Sequence, residues 1–337
     1  MGNHQKESNH KSKKASRKSK HHKHSKDFKH KHHQVELSSA SQQVVSGSIS
    51  ASQLQDIHLS YAQIIAQPPP IYAAIPSEFS DNYYEFPKAY NDLLEINPSG
   101  RVILYDRVEN KMLARRLDAF SVDNEKILHI VQGPPGVGKS KGTLLWVLLK
   151  INLSPTKLVI GWIRLEKTAS MSKYIVYKIR RETVGTVKFT TRIVQKADLS
   201  AYLVLQNFTC VVFDNAIDDN KDILLESRQV LRAYKCTTKL IAVSSMQLTQ
   251  DSSIKSTTQS CVVEGWTLEE FIEACSNDTF YKNVKTNLLT SAFNADDMNA
   301  VSMRREIVVA KHSIAGASAR WMFECTEEDV YFSARDF

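Results

Sequence analysis

Eight consecutive residues carry the chemistry of this chain: Gly133-Pro134-Pro135-Gly136-Val137-Gly138-Lys139-Ser140, which fill the pattern G-x-x-x-x-G-K-[ST]. The glycines let backbone N–H groups turn inward and approach phosphate oxygens with no Cβ in the way. Lys139 can reach the β- and γ-phosphates, and the Ser140 hydroxyl can ligate Mg²⁺. Pro134, Pro135, Val137 and Lys141 complete the expected cradle. Such a loop works only between a strand and a helix. Ile127 to Val131 is an apolar run suited to a buried strand, and Thr143 to Leu149 suits a buried helix whose N-terminus faces the phosphates. The ligand this predicts is a nucleoside triphosphate.

A phosphate loop of this kind needs a second carboxylate for its metal, at the end of another core strand. Val211-Val212-Phe213-Asp214 supplies it, so Ser140 and Asp214 are the expected Mg²⁺ ligands. The next residue is Asn215, where many ATPases of the AAA+ and STAND type carry a water-activating glutamate. An amide can orient a water but cannot take its proton. Asp218 and Asp219 lie close by and read either as substitutes or as solvated loop charges. Ser244-Ser245 ends a further strand, and Ser245 is a candidate γ-phosphate sensor. Arg320, in Ser318-Ala319-Arg320-Trp321-Met322-Phe323, is a second candidate sensor or finger, since its fork suits phosphate oxygens. Lys139, Asp214, Arg320 and Ser245 form the expected catalytic set.

The elements that must position these groups alternate as an α/β sheet requires. Leu158–Ile163, Cys210–Phe213, Leu240–Val243 and Cys261–Glu264 read as further strands, Lys188–Val194 as an exposed or edge strand, and Lys221–Tyr234 as a helix. Upstream, Arg101–Asp106 reads as a strand and Glu109–Phe120 as a helix. After Thr267 the pattern is helical through Leu268–Ala274, Thr279–Leu289 and Met298–His312. The expected fold class is therefore α/β, a P-loop parallel sheet core flanked by helices. Residues 1–55 are expected to be a disordered Lys/His-rich tail and linker. Residues 56–125 form a lead-in segment packing on the core, 126–266 the nucleotide-binding core, and 267–337 a helical lid.

Charge is very unevenly spread. Residues 1–34 hold eleven Lys/Arg against Glu7 and Asp27, a net of +9 in a chain of net +8, so residues 35–337 sum to −1. Eight of the eleven histidines lie in the same tail. With so few apolar residues it cannot offset its ordering entropy. It reads as a solvated basic arm, as a nuclear-localisation or nucleic-acid-contacting segment, or more weakly as a His-rich metal tract. Five scattered cysteines without a C-x-x-C pair fit reduced thiols in an intracellular setting. No run reaches membrane-spanning length, and no apolar stretch follows the N-terminal charges as a signal peptide requires. A guanine-reading N-K-x-D is missing, since Asn220-Lys221-Asp222-Ile223 has its Asp one place early. Neither an L-S-G-G-Q signature nor a D…E-x-K nuclease constellation is present.

Taken in order, Gly133–Ser140, Val211–Asn215, the Glu264-Gly265-Trp266-Thr267-Leu268-Glu269-Glu270-Phe271 block and the Gly316–Phe323 block resemble a known group. The chain is similar, over roughly residues 80–330, to the P-loop NTPase module of Crinkler-type proteins and retrotransposon hot-spot proteins. That resemblance implies an AAA+/STAND-like ATPase core with ATP and Mg²⁺ as ligands. It also implies an effector or mobile-element role with nuclear or host-cell delivery. The tail differs from that group's header domain, and no C-terminal effector domain is expected after the lid. The function expected is binding of ATP·Mg²⁺ with slow hydrolysis. The alternative is a non-hydrolysing nucleotide switch, or a nucleic-acid-associated protein targeted by the basic tail. Oligomerisation is open to either.

Overall fold

Short runs of β-branched and aromatic residues that are buried on both sides build the centre of the molecule. In the computed structural model, which describes residues 68–94, 102–154, 157–165, 173–245, 252–294 and 296–335, these runs and the more exposed segment Thr258–Val262 form five parallel strands. They are β5 (Leu128–Gln132), β6 (Val159–Arg164), β9 (Cys210–Asp214), β10 (Lys239–Val243) and β11 (Thr258–Val262). β9 is buried along its whole length and β5 at all but its last residue, as parallel strands with layers on both faces must be. The Lys/His tail and linker, and the first part of the lead-in to residue 67, lie outside the described residues.

The sheet has eight strands in the order β1-β8-β7-β6-β9-β10-β5-β11, so the strand before the phosphate loop sits between β10 and β11. The expected parallel sheet is thus one side of a mixed one, running from β6 to the edge strand β11. β7 (Lys173–Thr183), β8 (Thr186–Gln195) and β1 (Ile71–Ala74) extend it antiparallel beyond β6. Two expectations need correction here. The segment at Lys188–Val194 belongs to β8, which is internal, and the edge is β1. β7 escaped the sequence reading because its inward positions change face: Tyr174 and Val176 are buried on one side, Ile179 on the other.

The lead-in contributes a second, three-stranded antiparallel sheet of β2 (Ser77–Ser80), β3 (Tyr83–Phe86) and β4 (Val102–Tyr105). The short turn α1 (Asn91–Leu94) lies between β3 and β4, and α2 (Val108–Val122) follows β4. Helix α3 (Lys139–Leu153) follows the phosphate loop and buries seven successive residues from Gly142 to Leu148. Asp118 of α2 accepts from Trp146 Nε1 at 3.1 Å and from Lys150 Nζ at 2.7 Å, which ties α2 to α3. Helices α4 (Leu199–Gln206) and α5 (Lys221–Ala233) flank the strands that lead to Asp214 and Ser244.

Beyond Val262 the described chain is helical: α6 (Leu268–Ala274), α7 (Asp278–Leu288), α8 (Arg304–Ala315), α9 (Ala319–Phe323) and α10 (Glu327–Arg335). α6 starts at a full capping box, in which Thr267 Oγ accepts from Glu270 N and Glu270 Oε2 accepts from Thr267 N. The helix expected from Met298 begins only at Arg304, because residues 297–303 form two 3-10 turns instead. Aromatic rings lock this region to the lead-in. Trp266 stacks on Phe271 at 4.9 Å, meets Phe323 edge-on at 5.6 Å and leans on Tyr105 at 5.9 Å. Pairs of this kind contribute about 0.5–1.5 kcal/mol each beyond their buried area.

Candidate functional site

The parallel strands β5, β9 and β10 end on the same edge of the sheet, where open α/β folds bind ligands. β5 runs into the phosphate loop, β9 ends at Asp214, and β10 runs into Ser244-Ser245. Val243 pairs with Val131, and the Ser244 amide donates to the Val131 carbonyl at 2.9 Å. Ser245 is therefore level with the start of the loop, half-buried at the sheet edge.

The loop turns on glycines that leave no space for a side chain. Gly133 has φ +149°, and a Cβ there would lie 2.2 Å from the Val263 carbonyl oxygen. At Gly136, with φ +77°, a Cβ would meet Ser318 Oγ at 2.2 Å and Arg320 Cβ at 2.9 Å. Both conformations are strained for any residue but glycine.

Lys139 is buried, and its ammonium donates to the carbonyls of Gly133 at 2.8 Å and Pro134 at 2.5 Å. Burial brings its pKa down to about 8; Asp214 opposes that shift and the charge of Arg320 adds to it. Ser140 Oγ donates to Asp214 Oδ1 at 2.7 Å. These two oxygen donors suit a hard divalent cation. Among the described residues no group of three or more His, Cys, Asp or Glu could cage a metal. A cation held here must therefore complete its shell with phosphate and water oxygens, as Mg²⁺ habitually does.

Asn215 is in the left-handed region, with φ +61°. Its backbone N–H donates to Asp214 Oδ1 at 3.0 Å, and its side-chain Nδ2 donates to the Leu165 carbonyl at 2.9 Å. Asparagine tolerates this conformation better than glutamate does. The residue acts as a clip between the ends of β9 and β6, and it fixes the Asp214 carboxylate. Asp218 opens a 3-10 turn and lies 3.7 Å from Lys221.

The two sequence blocks downstream meet on the loop. The Trp266 indole Nε1 donates to the Val137 carbonyl at 3.3 Å, and the Trp266 amide donates to Ala317 O at 3.0 Å. The Arg320 amide donates to Gly136 O at 3.3 Å, while its guanidinium is largely exposed and lies 3.9 Å from Glu324. Lys141, expected in the cradle, pairs its ammonium with Glu324 of the lid. The structure therefore brings Lys139, Ser140 and Asp214 together; Arg320 meets the loop through its backbone, while its guanidinium and the Lys141 ammonium both face Glu324, and Ser245 stands at the neighbouring strand end.

One residue of this assembly gave no sequence signal. Arg107, just before α2, is fully buried. It donates to Glu270 Oε2 at 2.9 Å, to Gly265 O at 3.1 Å and to Glu264 O, and lies 5.2 Å over the Trp266 ring. A lone Arg before a helix fits no motif, and its partners lie some 160 residues away.

Fold and site together define the P-loop class of nucleoside-triphosphate folds: a mostly parallel sheet flanked by helices, with the loop at a strand end. No family model matches the chain, and no curated protein matches it. Among solved structures it is similar to C. elegans PCH-2, with 11% identity and a TM-score of 0.39, over 63% of this chain and 59% of that one. It is also similar to Drosophila ORC, solved bound to DNA, with 10% identity and a TM-score of 0.37, over 67% of this chain and 60% of that one. A third is the E. coli MS115-1 HORMA:CdnC:Trip13 complex, with 9% identity and a TM-score of 0.33, over 66% of this chain and 77% of that one. The chain spans about three-fifths of the length of the first two. Among the described residues no helix is long and apolar enough to cross a membrane.

Proposed function

We propose that this chain binds ATP·Mg²⁺ and hydrolyses it slowly. The observation that supports it best is the Lys139–Ser140–Asp214 arrangement, with a buried ammonium beside a hydroxyl 2.7 Å from a carboxylate. Lys139 would exchange its loop carbonyls for phosphate oxygens. Ser140 and Asp214 would hold Mg²⁺, and the metal would neutralise charge on the phosphates. Arg320 would meet the γ-phosphate from the lid side, and Ser245 from the sheet edge. ATP is favoured over GTP by the missing guanine motif and by the Crinkler resemblance. That resemblance also supports an effector or mobile-element role with nuclear delivery, in which the basic tail contacts nucleic acid. Removing the Lys139 ammonium should weaken ATP·Mg²⁺ binding roughly 10- to 150-fold, the value of a charge-assisted hydrogen bond. A Lys139→Ala protein that binds as tightly as wild type in a calorimetric titration overturns the assignment.

One observation favours a second reading, a nucleotide switch that does not turn over. The Asn215 side chain is spent on the Leu165 carbonyl and has no basicity to offer a water. Phosphate release by the purified chain, with and without DNA or RNA, separates the two. Turnover abolished by Asp214→Ala supports the enzyme, and nucleotide binding with no release supports the switch.

A further inference from the structure

The β7–β8 hairpin carries charge out of all proportion to its size. Residues 173–196 hold seven Lys/Arg against Glu182, a net of +6, whereas residues 35–337 as a whole sum to −1. Cross-strand register sorts these charges by face. Arg180 stands directly opposite Lys188, Lys178 opposite Thr190, and Lys188 opposite Tyr72 of the edge strand β1. Residues directly opposite, or two apart on a strand, share a face. Lys178, Arg180, Lys188, Thr190 and Tyr72 therefore lie on one side of the three-stranded flank.

One feature of that side is costly for folding. Like charges directly opposite each other, as at Arg180 and Lys188, destabilise a sheet. Lys178 lies two residues from Arg180 on the same face, and its pKa is lowered first by burial and then by the charges of Arg180 and Arg192. Glu182, the acid of the hairpin, lies 3.9 Å from Arg180 and offsets one charge of the group. Tyr72 is 54% exposed, and the Lys188 ammonium sits 5.1 Å over its ring. Lys178 is anchored by Gln206 of α4 at 2.9 Å, so the cationic row has a fixed base.

We propose that this face of β1-β8-β7 binds single-stranded nucleic acid. The row Lys178–Arg180–Lys188 tracks the phosphate backbone, and Tyr72 offers a ring on which an unpaired base stacks. Cations on an open sheet face with an aromatic platform are the chemistry that single strands require. A plain anionic surface would use the charges and not the ring. Its residues belong neither to the phosphate loop nor to the Lys/His-rich segment of residues 1–34.

The test is fluorescence anisotropy of the full chain with labelled single-stranded DNA and RNA oligonucleotides of one mixed sequence, across a salt series. The variant Lys178→Gln/Arg180→Gln/Lys188→Gln should lose affinity on the order of tenfold or more. Its slope of log affinity against log salt should flatten by about 2, the value for three phosphate contacts on a single strand. Tyr72→Ala should lose on the order of tenfold at unchanged salt slope. A charge-matched tail variant, Lys11→Gln/Lys13→Gln/Lys14→Gln, should retain more affinity than the hairpin variant. Relief of the like-charge pair should leave the melting temperature of the hairpin variant equal or higher, and Arg180→Gln alone serves if the triple does not fold. Equal losses from hairpin and tail variants overturn the proposal. So does an inert Tyr72→Ala, or a hairpin loss reproduced on vesicles of anionic lipid, which would make the face a membrane surface.

Discussion

Lys139 shows what burial does to a cation in a phosphate loop. Holding the ammonium among loop carbonyls and away from water brings its pKa to about 8 from an ordinary 10.5. Phosphate binding requires the charged form, so ATP affinity should fall as pH rises through about 8, by up to about tenfold per unit. For folding the sign is reversed. The unfolded chain holds this proton up to about 10.5, so the Lys139 contribution to stability grows with pH between about 8 and 10.5. Calorimetric titrations at pH 7, 8 and 9 check the first effect; Lys139→Arg, charged throughout, should give a flat profile. Much of this site was legible from residue types alone, because each position of the loop has a separate physical task. Asp214 was legible because it ends an apolar strand. Asn215 was legible as an oddity but not as a clip, since its partner Leu165 is set by β6 lying next to β9. Arg107 was illegible, as its role exists only once Trp266 and Glu270 have folded around it.

At the scale of elements, the parts of the chain buried on both faces were the readable ones. β5, β9 and β10 announce themselves as Val/Ile/Leu runs, whereas β1, β2 and β3 are four residues each and too short for a period. The antiparallel flank was misread because its strands trade apolar positions for lysine and arginine. The capped helix α6 reaches the loop through side chains, since Glu270 both closes the Thr267 box and pairs with Arg107, which lies over the Trp266 ring. Thr267→Ala should cost about 1 kcal/mol, the value of a lost N-cap. Arg107→Ala breaks a buried pair and should cost about 3–5 kcal/mol. Denaturant midpoints should rank the two in that order. ATP affinity should fall further in the Arg107 variant, whose Trp266 has lost its support.

For the molecule as a whole, lead-in, sheet and lid converge on a single loop, so ligand binding should be felt as global stability. At a free ATP·Mg²⁺ concentration one hundred times its Kd, stabilisation is about 2.7 kcal/mol. For a unit of this size that raises the melting temperature by about 5–10 °C. The Mg²⁺-dependent part of the shift should vanish in Asp214→Ala, and thermal melts with ATP plus and minus Mg²⁺ measure it. Charge is likewise a property of the whole. Residues 35–337 are almost neutral in sum, yet that neutrality is a balance between a basic hairpin and an acidic remainder.

The close approach of Ser318 and Arg320 to Gly136 has an optical consequence. Of the four tryptophans, Trp266 holds the Val137 carbonyl of the phosphate loop through its indole, and Trp321 is the next residue after the Arg320 amide that holds Gly136. A displacement of the loop by a few tenths of an ångström changes the surroundings of the Trp266 indole. The remaining pair, Trp146 and Trp162, sits buried in α3 and β6 and supplies a steady background. The chain thus carries its own unlabelled fluorescent gauge of what its loop is holding.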